Sequence, residues 1–297
     1  MAIKAAFKAN ITSLLYQVLT VQIKNMKTLV QNFLIISLIS LSACETARYA
    51  YSPSAHNVPV LTQKGDGKIG GLYSTNPATD ETYNNERIYS HSNGFDAQGA
   101  YALSDNWAIQ SSYFQRWERT TGGPDSVNIK YKRNLAELGG GYYFNMNKRK
   151  TVFFQVLGGA GLGRFSFTDH SINGDYFHQS NIFKFYIQPA FVFRSKGSFS
   201  TSIALRASVV KFNSIKTNYS PGQLSDYILN NLDYRAKFFF EPAFVSSFGF
   251  KNVPGLRFEF QGSLSLLAAY DPFNYRPANF SVGSYLDFGS LKRAGNK

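Results

Sequence analysis

The chain has 297 residues, of which 44% are hydrophobic, 16% are aromatic and only 16% are charged. This composition excludes a disordered chain, a coiled coil and a collagen, and the single cysteine excludes a disulfide scaffold and a cysteine-based zinc site. The formal charge of +13 would suit a nucleic-acid partner, but no basic helix, zinc finger or aromatic–basic motif accompanies it, so we expect no nucleic acid.

The first predicted element is a lipoprotein signal. An apolar run over 29–43 ends in Leu-Ser-Ala immediately before Cys44, and the run has signal-peptide length but is too short to span a bilayer well. This pattern resembles the lipobox of bacterial lipoproteins, in which the cysteine becomes the acylated first residue of the mature chain. We predict an upstream extension plus signal peptide over 1–43, with the signal itself starting at Met26, and a covalent lipid on Cys44. The alternative is a buried free cysteine that ends a core helix.

The remaining domain boundaries follow from charge and pattern. Residues 1–43 hold four lysines and no acidic residue, so their removal reduces the formal charge to +9. We predict a lipidated periplasmic tether over 44–65, a barrel over 66–289 and a basic C-terminal tail over 290–297.

From Gly67 onward the sequence alternates with the two-residue period of β-strands and shows no sustained helical period. Phe185 and Phe191, for example, lie on the opposite face of a predicted strand from Lys184 and Arg194. No stretch after residue 45 reaches about 18 consecutive apolar residues, which excludes a helical membrane protein. The predicted strands cover about 66–76, 94–104, 107–119, 133–146, 150–168, 182–195, 199–216, 236–250, 256–268 and 279–289.

The predicted connections alternate between short and long. The long ones cover 77–93, 120–132, 169–181, 217–235 and 269–278. An even number of antiparallel strands with this alternation is typical of an all-β, up-and-down transmembrane β-barrel, here of about ten strands, with short periplasmic turns and longer outer loops. We therefore expect a bacterial outer-membrane protein in contact with outer-membrane lipids, its N-terminus lipid-anchored on the periplasmic side. A soluble β-sandwich would also alternate, but it would favour branched aliphatic residues over Phe.

The spacing of two tryptophans indicates the height of the lipid-facing band of the predicted barrel. Trp107 and Trp117 share a strand and a face, and ten residues at about 3.3 Å, tilted by about 40°, span about 25 Å along the barrel axis. That is the expected height of a lipid-facing band between two aromatic girdles. The alternative is two unrelated tryptophans in a soluble sandwich.

Two predicted strands carry a similar sequence motif. Gln188-Pro189-Ala190-Phe191 is echoed by Glu241-Pro242-Ala243-Phe244. Because proline cannot donate to a β-ladder, we predict bulges near Pro189 and Pro242.

Short motifs along the mature chain resemble a family of small, mostly uncharacterised barrel lipoproteins from Bacteroidota. The resemblance implies an outer-membrane barrel and brings no activity with it. Its motifs are Cys44, 57–61, 64–66, 94–98, 139–143, 188–189, Arg206 and 271–274.

Charged side chains on the lumen face of the predicted strands indicate a polar network. Small barrels fill their interior with side chains, so we predict that mixed charges pair with one another and plug the lumen. The alternative is a narrow path for small solutes. The predicted network consists of Glu137, Lys184, Arg194, Arg206, Glu241, Arg257 and Glu259.

Signals for chemistry are weak. Residues 158–163 are glycine-rich but lack the lysine of a phosphate loop, which favours a structural role. A barrel-rim hydrolase using Asp169, His170 and His178 is a further hypothesis. We expect no enzyme, no catalytic or metal residue and no cofactor beyond the lipid. The predicted role is structural or surface-interacting, with outer loops available to a protein partner or surface ligand.

Overall fold

The computed structural model describes residues 48–83, 86–122, 127–171, 174–195, 199–250, 252–268 and 274–295. Cys44, the predicted signal over 1–43 and the last two residues of the predicted tail lie outside the described residues. The rest of the tail forms a helix, α2 (Phe288–Gly295), which follows the last strand directly.

Ten long antiparallel strands close into a barrel within the described part of the chain, which confirms the predicted fold. Each strand pairs with the next along the chain, and the last strand pairs with the first. Leu266–Leu267 continue β9 along β8 after an interruption at Ser265. The strands are β1 (Gly67–Tyr83), β2 (Glu86–Ala102), β3 (Trp107–Gly122), β4 (Val127–Asn145), β5 (Val152–Ser171), β6 (Gly174–Arg194), β7 (Phe199–Thr217), β8 (Lys237–Phe250), β9 (Val253–Leu264) and β10 (Ala278–Asp287).

Three of the five predicted long loops are wrong. The stretches 77–93, 120–132 and 169–181 are mostly strand, because the β1–β2, β3–β4 and β5–β6 hairpins continue pairing almost to their tips. Only 218–236 and 268–277 connect strands at length at this end of the barrel, which we call the loop end. The first of these contains a short helix, α1 (Pro221–Asp226), whose N-cap is Ser220. The opposite end, with the connections after β2, β4, β6 and β8, is the turn end.

The polarity of the outward side chains changes partway along the strands. From the turn end up to the level of Trp117, most outward side chains are large and apolar; Leu138 and Leu162 are 69% and 66% exposed. We call this zone the apolar belt. It includes Ile69, Tyr73, Phe95, Trp107, Trp117, Leu138, Leu162, Phe185, Ile187, Phe191, Ile203, Phe240, Phe260 and Val282. Above it most outward positions are polar, although Tyr89 and Phe177 are exposed there too. This polar rim includes Arg119, Lys130, Lys132, Arg164, Thr168 and His170.

The interior changes in the opposite sense. Inside the apolar belt many side chains are charged or polar, whereas inside the polar rim they form a hydrophobic core. That core includes Ile129 and Tyr131 of β4, Phe165 and Phe167 of β5, and Leu229 from the 218–236 connection. The rim is therefore built like a water-soluble protein, and the belt is built in the inverse way. No residue is inserted or removed in the β4–β5 pairing where the pattern inverts.

The predicted bulges at the two prolines are wrong. The β5–β6 register runs through Val156 and Pro189 without a shift, and the β7–β8 register runs through Leu205 and Pro242. Between β6 and β7, pairing skips two positions around Pro189 and resumes in the same register. The ladder therefore loses hydrogen bonds at these prolines without gaining an extra residue. The described register shifts lie at 76–79, 179–181 and 249–250.

The glycine-rich run in β5 makes room for an aromatic side chain in the lumen. A Cβ atom added at Gly159 would stand 2.9 Å from the Tyr186 hydroxyl, and one added at Gly139 on the neighbouring strand would stand equally close. Both positions also bring the added atom against neighbouring backbone. The close approach of strand and tyrosine therefore requires glycine.

The inversion can be tested with one arginine placed at two heights on β5. In barrels refolded into phospholipid vesicles, we expect Ala160→Arg to lower the free energy of unfolding by about 2–4 kcal/mol, because it puts a charge on the lipid face inside the apolar belt. Thr168→Arg, at an outward position in the polar rim, is the matched control and should change it by about 0–1 kcal/mol. Equal effects of the two variants in urea titrations would contradict the assigned height of the belt.

Candidate functional site

The barrel interior is occupied by the chain's own N-terminal residues. Residues 48–66, the lumen segment, are buried over almost their whole length, and they contact inward side chains from strands all around the barrel. The prediction of a periplasmic tether over 44–65 is therefore wrong for its described part. A peptide placed inside a closed barrel must find partners for its backbone groups there, and the lumen side chains supply them.

At the turn end the lumen segment packs through apolar contacts. Leu61 is buried with Ala102, Ala108, Tyr143 and Leu157. Val58 belongs to a second apolar cluster, which also contains Phe153, Ala190, Val192, Ala204, Ala243 and Val245. Just before β1, the peptide N–H of Gly65 donates to the carbonyl of Ala102 at 2.9 Å. This end of the segment is thus joined to the start of the barrel wall.

In the middle of the lumen, side chains of distant strands hold the backbone of the segment. The N–H of Ala55 donates to Asp96 of β2 at 3.0 Å. The amide of Gln261 of β9 accepts from the N–H of His56 at 2.8 Å and donates to its carbonyl at 3.3 Å. Gln188 of β6 donates to the carbonyl of Asn57 at 2.9 Å. Three strands therefore fix three consecutive residues.

A charged cluster surrounds the same stretch. The Lys184 ammonium lies 3.3 Å from Glu137 and 3.4 Å from Glu241, and the Arg206 guanidinium lies 3.8 Å from Glu137. The lumen segment takes part, because the Tyr51 hydroxyl donates to Glu241 at 2.8 Å and accepts from Lys184 at 3.2 Å. Wall and segment therefore form one network of alternating charge.

The echoed proline motifs meet in this cluster. Arg206 on β7 lies between Gln188 on β6 and Glu241 on β8; it donates to Gln188 at 2.9 Å and is the direct cross-strand partner of Glu241. Arg206 also donates to the Ser54 hydroxyl of the lumen segment at 3.1 Å. The two motifs thus place their polar residues on either side of one arginine, and both contact the segment.

The structure places six of the seven predicted network residues in the lumen, each at most 5% exposed. Glu259 pairs with Lys68 at 3.0 Å, and Arg257 donates to Ser200 at 3.1 Å and to Tyr285 at 3.0 Å. Arg194, the seventh, is the last residue of β6 and lies at the turn end, partly exposed. Trp107 and Trp117 both point outward in the apolar belt, where Trp107 packs edge-on against Tyr142.

Several lumen pairs escaped the sequence analysis. Arg116 lies 2.7 Å from Asp96, and Glu118 binds both Arg133, at 2.7 Å, and Arg276, at 2.5 Å. These residues have the inward parity of their strands, so the alternation could have identified those that fall in predicted strands. Glu118 and Arg133 lie at the ends of the predicted strands 107–119 and 133–146, whereas Arg276 lies in the predicted loop 269–278.

The N-terminal end of the lumen segment is fastened at the loop end. The Arg48 guanidinium lies 2.6 Å from the Asp169 carboxylate and 3.9 Å from the ring centre of Tyr227. The Tyr219 hydroxyl donates to the same carboxylate at 2.5 Å; burial and this hydrogen bond raise the pKa of Tyr219, so the hydroxyl keeps its proton. The N–H of Ala50 donates to the carbonyl of Asn274 at 2.9 Å.

The three residues of the hydrolase hypothesis do not converge. The Asp169 carboxylate points inward to Arg48, whereas His170 points outward and lies 2.7 Å from the exposed Asp175. His178 is buried, with its ring stacked on Phe167 at 5.5 Å. The alternation of the strand separates Asp169 from His170 by the thickness of the wall, which gives no shared site for water activation.

In the described ranges, no group of three or more His, Cys, Asp or Glu side chains is placed to hold a metal ion. None of the helices in those ranges is long and apolar enough to cross a membrane.

No protein-family model matches the chain, and no curated protein matches its sequence. Solved structures with a similar fold include the translocator domain of the autotransporter NalP from Neisseria meningitidis, with 10% identity, coverage of 75% of this chain and 88% of that chain, and a TM-score of 0.45. The outer membrane protease OmpT from Escherichia coli has 11% identity, coverage of 82% and 100%, and a TM-score of 0.43. Ail, the attachment invasion locus protein of Yersinia pestis, has 13% identity, coverage of 75% and 99%, and a TM-score of 0.33.

The network predicts a large difference between two arginines of the predicted set. Arg206→Met removes the cation that faces Glu137 and Glu241, and leaving buried carboxylates without it should cost about 3–5 kcal/mol of unfolding free energy. Arg194→Met, at the partly exposed turn end, is the matched control and should cost clearly less. Urea titration of both variants in vesicles provides the measurement. A loss for Arg206→Met no larger than that for Arg194→Met would contradict the role given to the network.

Proposed function

We propose that the chain is a bacterial outer-membrane β-barrel lipoprotein with a structural or surface-interaction role and a non-conducting lumen. The observation that carries this proposal is the inversion of polarity along the strands. An apolar belt around a charged interior suits lipid outside, and a polar rim around a hydrophobic core suits water outside. A soluble barrel would have no reason to expose a continuous apolar ring of this size.

The belt has the dimensions of a membrane. Trp107 and Trp117, one at its turn-end edge and one at its loop-end edge, are separated by about 25 Å along the axis. Immediately above it, the outward side chains of Arg119, Lys130 and Lys132 lie on adjacent strands, and Arg119 and Lys130 are direct cross-strand partners. Like charges opposite one another destabilise a sheet, and contact with anionic lipid headgroups would offset this. Outer-membrane lipids are thus the proposed partner of the belt and its upper edge.

The lumen segment supports the non-conducting part of the proposal. Within the apolar belt it lies among paired charges, and toward the loop end its residues Ala50 and Tyr51 belong to the hydrophobic core, together with Leu229 and Leu232 of the 218–236 connection. A narrow solute path, the alternative, would have to pass two apolar clusters and a hydrophobic core. The polar rim is then the surface available to a protein partner or surface ligand.

Planar-bilayer recording tests the closed lumen. We expect the full mature chain to insert without reproducible single-channel steps, because the lumen segment fills its interior. A variant lacking 48–61 that still shows a heat-modifiable band on gels is expected to conduct, since it removes the segment and keeps the wall. Reproducible steps from the full chain would contradict a non-conducting lumen.

Acylation of Cys44 has a separate test. In cells fed labelled palmitate, the wild-type chain should incorporate label and Cys44→Ala should not. The variant should stay in the outer-membrane fraction and keep its heat-modifiable band, because a barrel does not need a lipid to remain inserted. Release of the variant into the soluble periplasm would refute the membrane barrel, whereas label on the variant would refute acylation at Cys44.

A further inference from the structure

The direction of the lumen segment decides on which side of the barrel the mature chain begins. Residue 66 precedes β1 at the turn end, and the chain in front of it runs through the lumen toward the loop end. There Arg48 is paired with Asp169, the third residue from the loop end of β5. The start of the barrel and the start of the described chain therefore lie at opposite ends of the molecule.

The residues between Cys44 and Arg48 are too few to reach from the loop end back to the turn end. β5 has 20 residues, which at about 3.3 Å each and a tilt of about 40° span about 50 Å along the axis. Arg48 is the fourth residue after Cys44, and an extended chain covers at most about 3.6 Å per residue, so these four steps span at most about 14 Å. A mature chain that begins at Cys44 cannot reach back across the barrel.

The loop end of the segment is also firmly held. Arg133 donates to the carbonyl of Tyr49, and the guanidinium of Arg276 lies 3.7 Å from the Tyr49 ring centre. Tyr51 forms a β-bridge with Tyr275 and stacks on Phe239 with ring centres 4.5 Å apart. These contacts come from β4, β8 and the connection before β10, so the end of the segment is held from several sides.

We propose that the mature N-terminus leaves the barrel at the loop end and lies on the outer face of the outer membrane, so that the acyl group of Cys44 enters the outer leaflet. The inference rests on the proposed function and on the expected orientation of an outer-membrane barrel, in which the short turns face the periplasm and the loop end faces outward. It replaces the expected anchor on the periplasmic side. Because the lumen is packed around the segment, the barrel must close around it during folding; an acylated end does not thread through a filled lumen.

A labelling experiment on cells tests this topology. A short epitope is inserted between Glu45 and Thr46, and in separate chains the same epitope is inserted after Asn230, at the loop end, or after Lys148, at the turn end. We expect antibody to bind the first two in intact cells and the third only after permeabilisation. The heat-modifiable gel shift checks that each chain is folded.

The failures are distinguishable. If the N-terminal epitope binds antibody only after permeabilisation while the Asn230 epitope binds in intact cells, the threaded topology is overturned and the proposed function stands. If the Asn230 epitope is also hidden in intact cells, both are overturned.

Should an inserted epitope prevent folding, the chain's single cysteine provides a smaller probe. With 1–43 replaced by a non-lipoprotein signal peptide, Cys44 keeps a free thiol, and a membrane-impermeant maleimide should label it in intact cells. Labelling only after permeabilisation overturns the proposal.

Discussion

The structure depends on one constraint: a peptide that runs through a closed barrel must have a partner for its buried polar groups. The strands of the wall cannot pair along the whole segment, because their backbone N–H and C=O groups already bond to one another in the closed sheet. Side chains replace the missing ladder, with Asp96, Gln188 and Gln261 acting as surrogate backbone partners. The polar side chains inside the belt therefore have two roles: they fill the barrel, and they bind residues 48–66.

The buried charges follow from the same constraint. A single unpaired charge among buried side chains would be costly, so cations and carboxylates come in alternating groups, as in Lys184 between Glu137 and Glu241. The lumen segment contributes Arg48 to Asp169 and the Tyr51 hydroxyl to Glu241. Removal of the segment would leave these carboxylates short of partners, so wall and segment stabilise each other.

Much of the barrel could be read from local pattern. All ten predicted strands exist, and the outward position of Trp107 and Trp117 follows from strict alternation. The loop predictions are wrong at the polar rim because outward lysines such as Lys130 and Lys132 are typical of loops, although inward Ile129 and Tyr131 continue the same two-residue period. The change from apolar to polar outward residues marks the edge of the apolar belt and not the end of a strand. The two-residue alternation continues into the polar rim, but there the polar residues point outward and the apolar residues point inward.

The sequence by itself determined the strand count, the alternation and the height of the apolar belt, because these depend on residues close together in the chain. Only the tertiary structure decided the place of residues 48–66. That stretch has no strand or helix period, and its composition would suit a free tether equally well. Many of its partners are distant in the chain, as in the contacts from Ala55 to Asp96 on β2 (41 residues), from Arg48 to Asp169 on β5 (121 residues) and from His56 to Gln261 on β9 (205 residues). No local pattern encodes contacts that exist only once the barrel has closed.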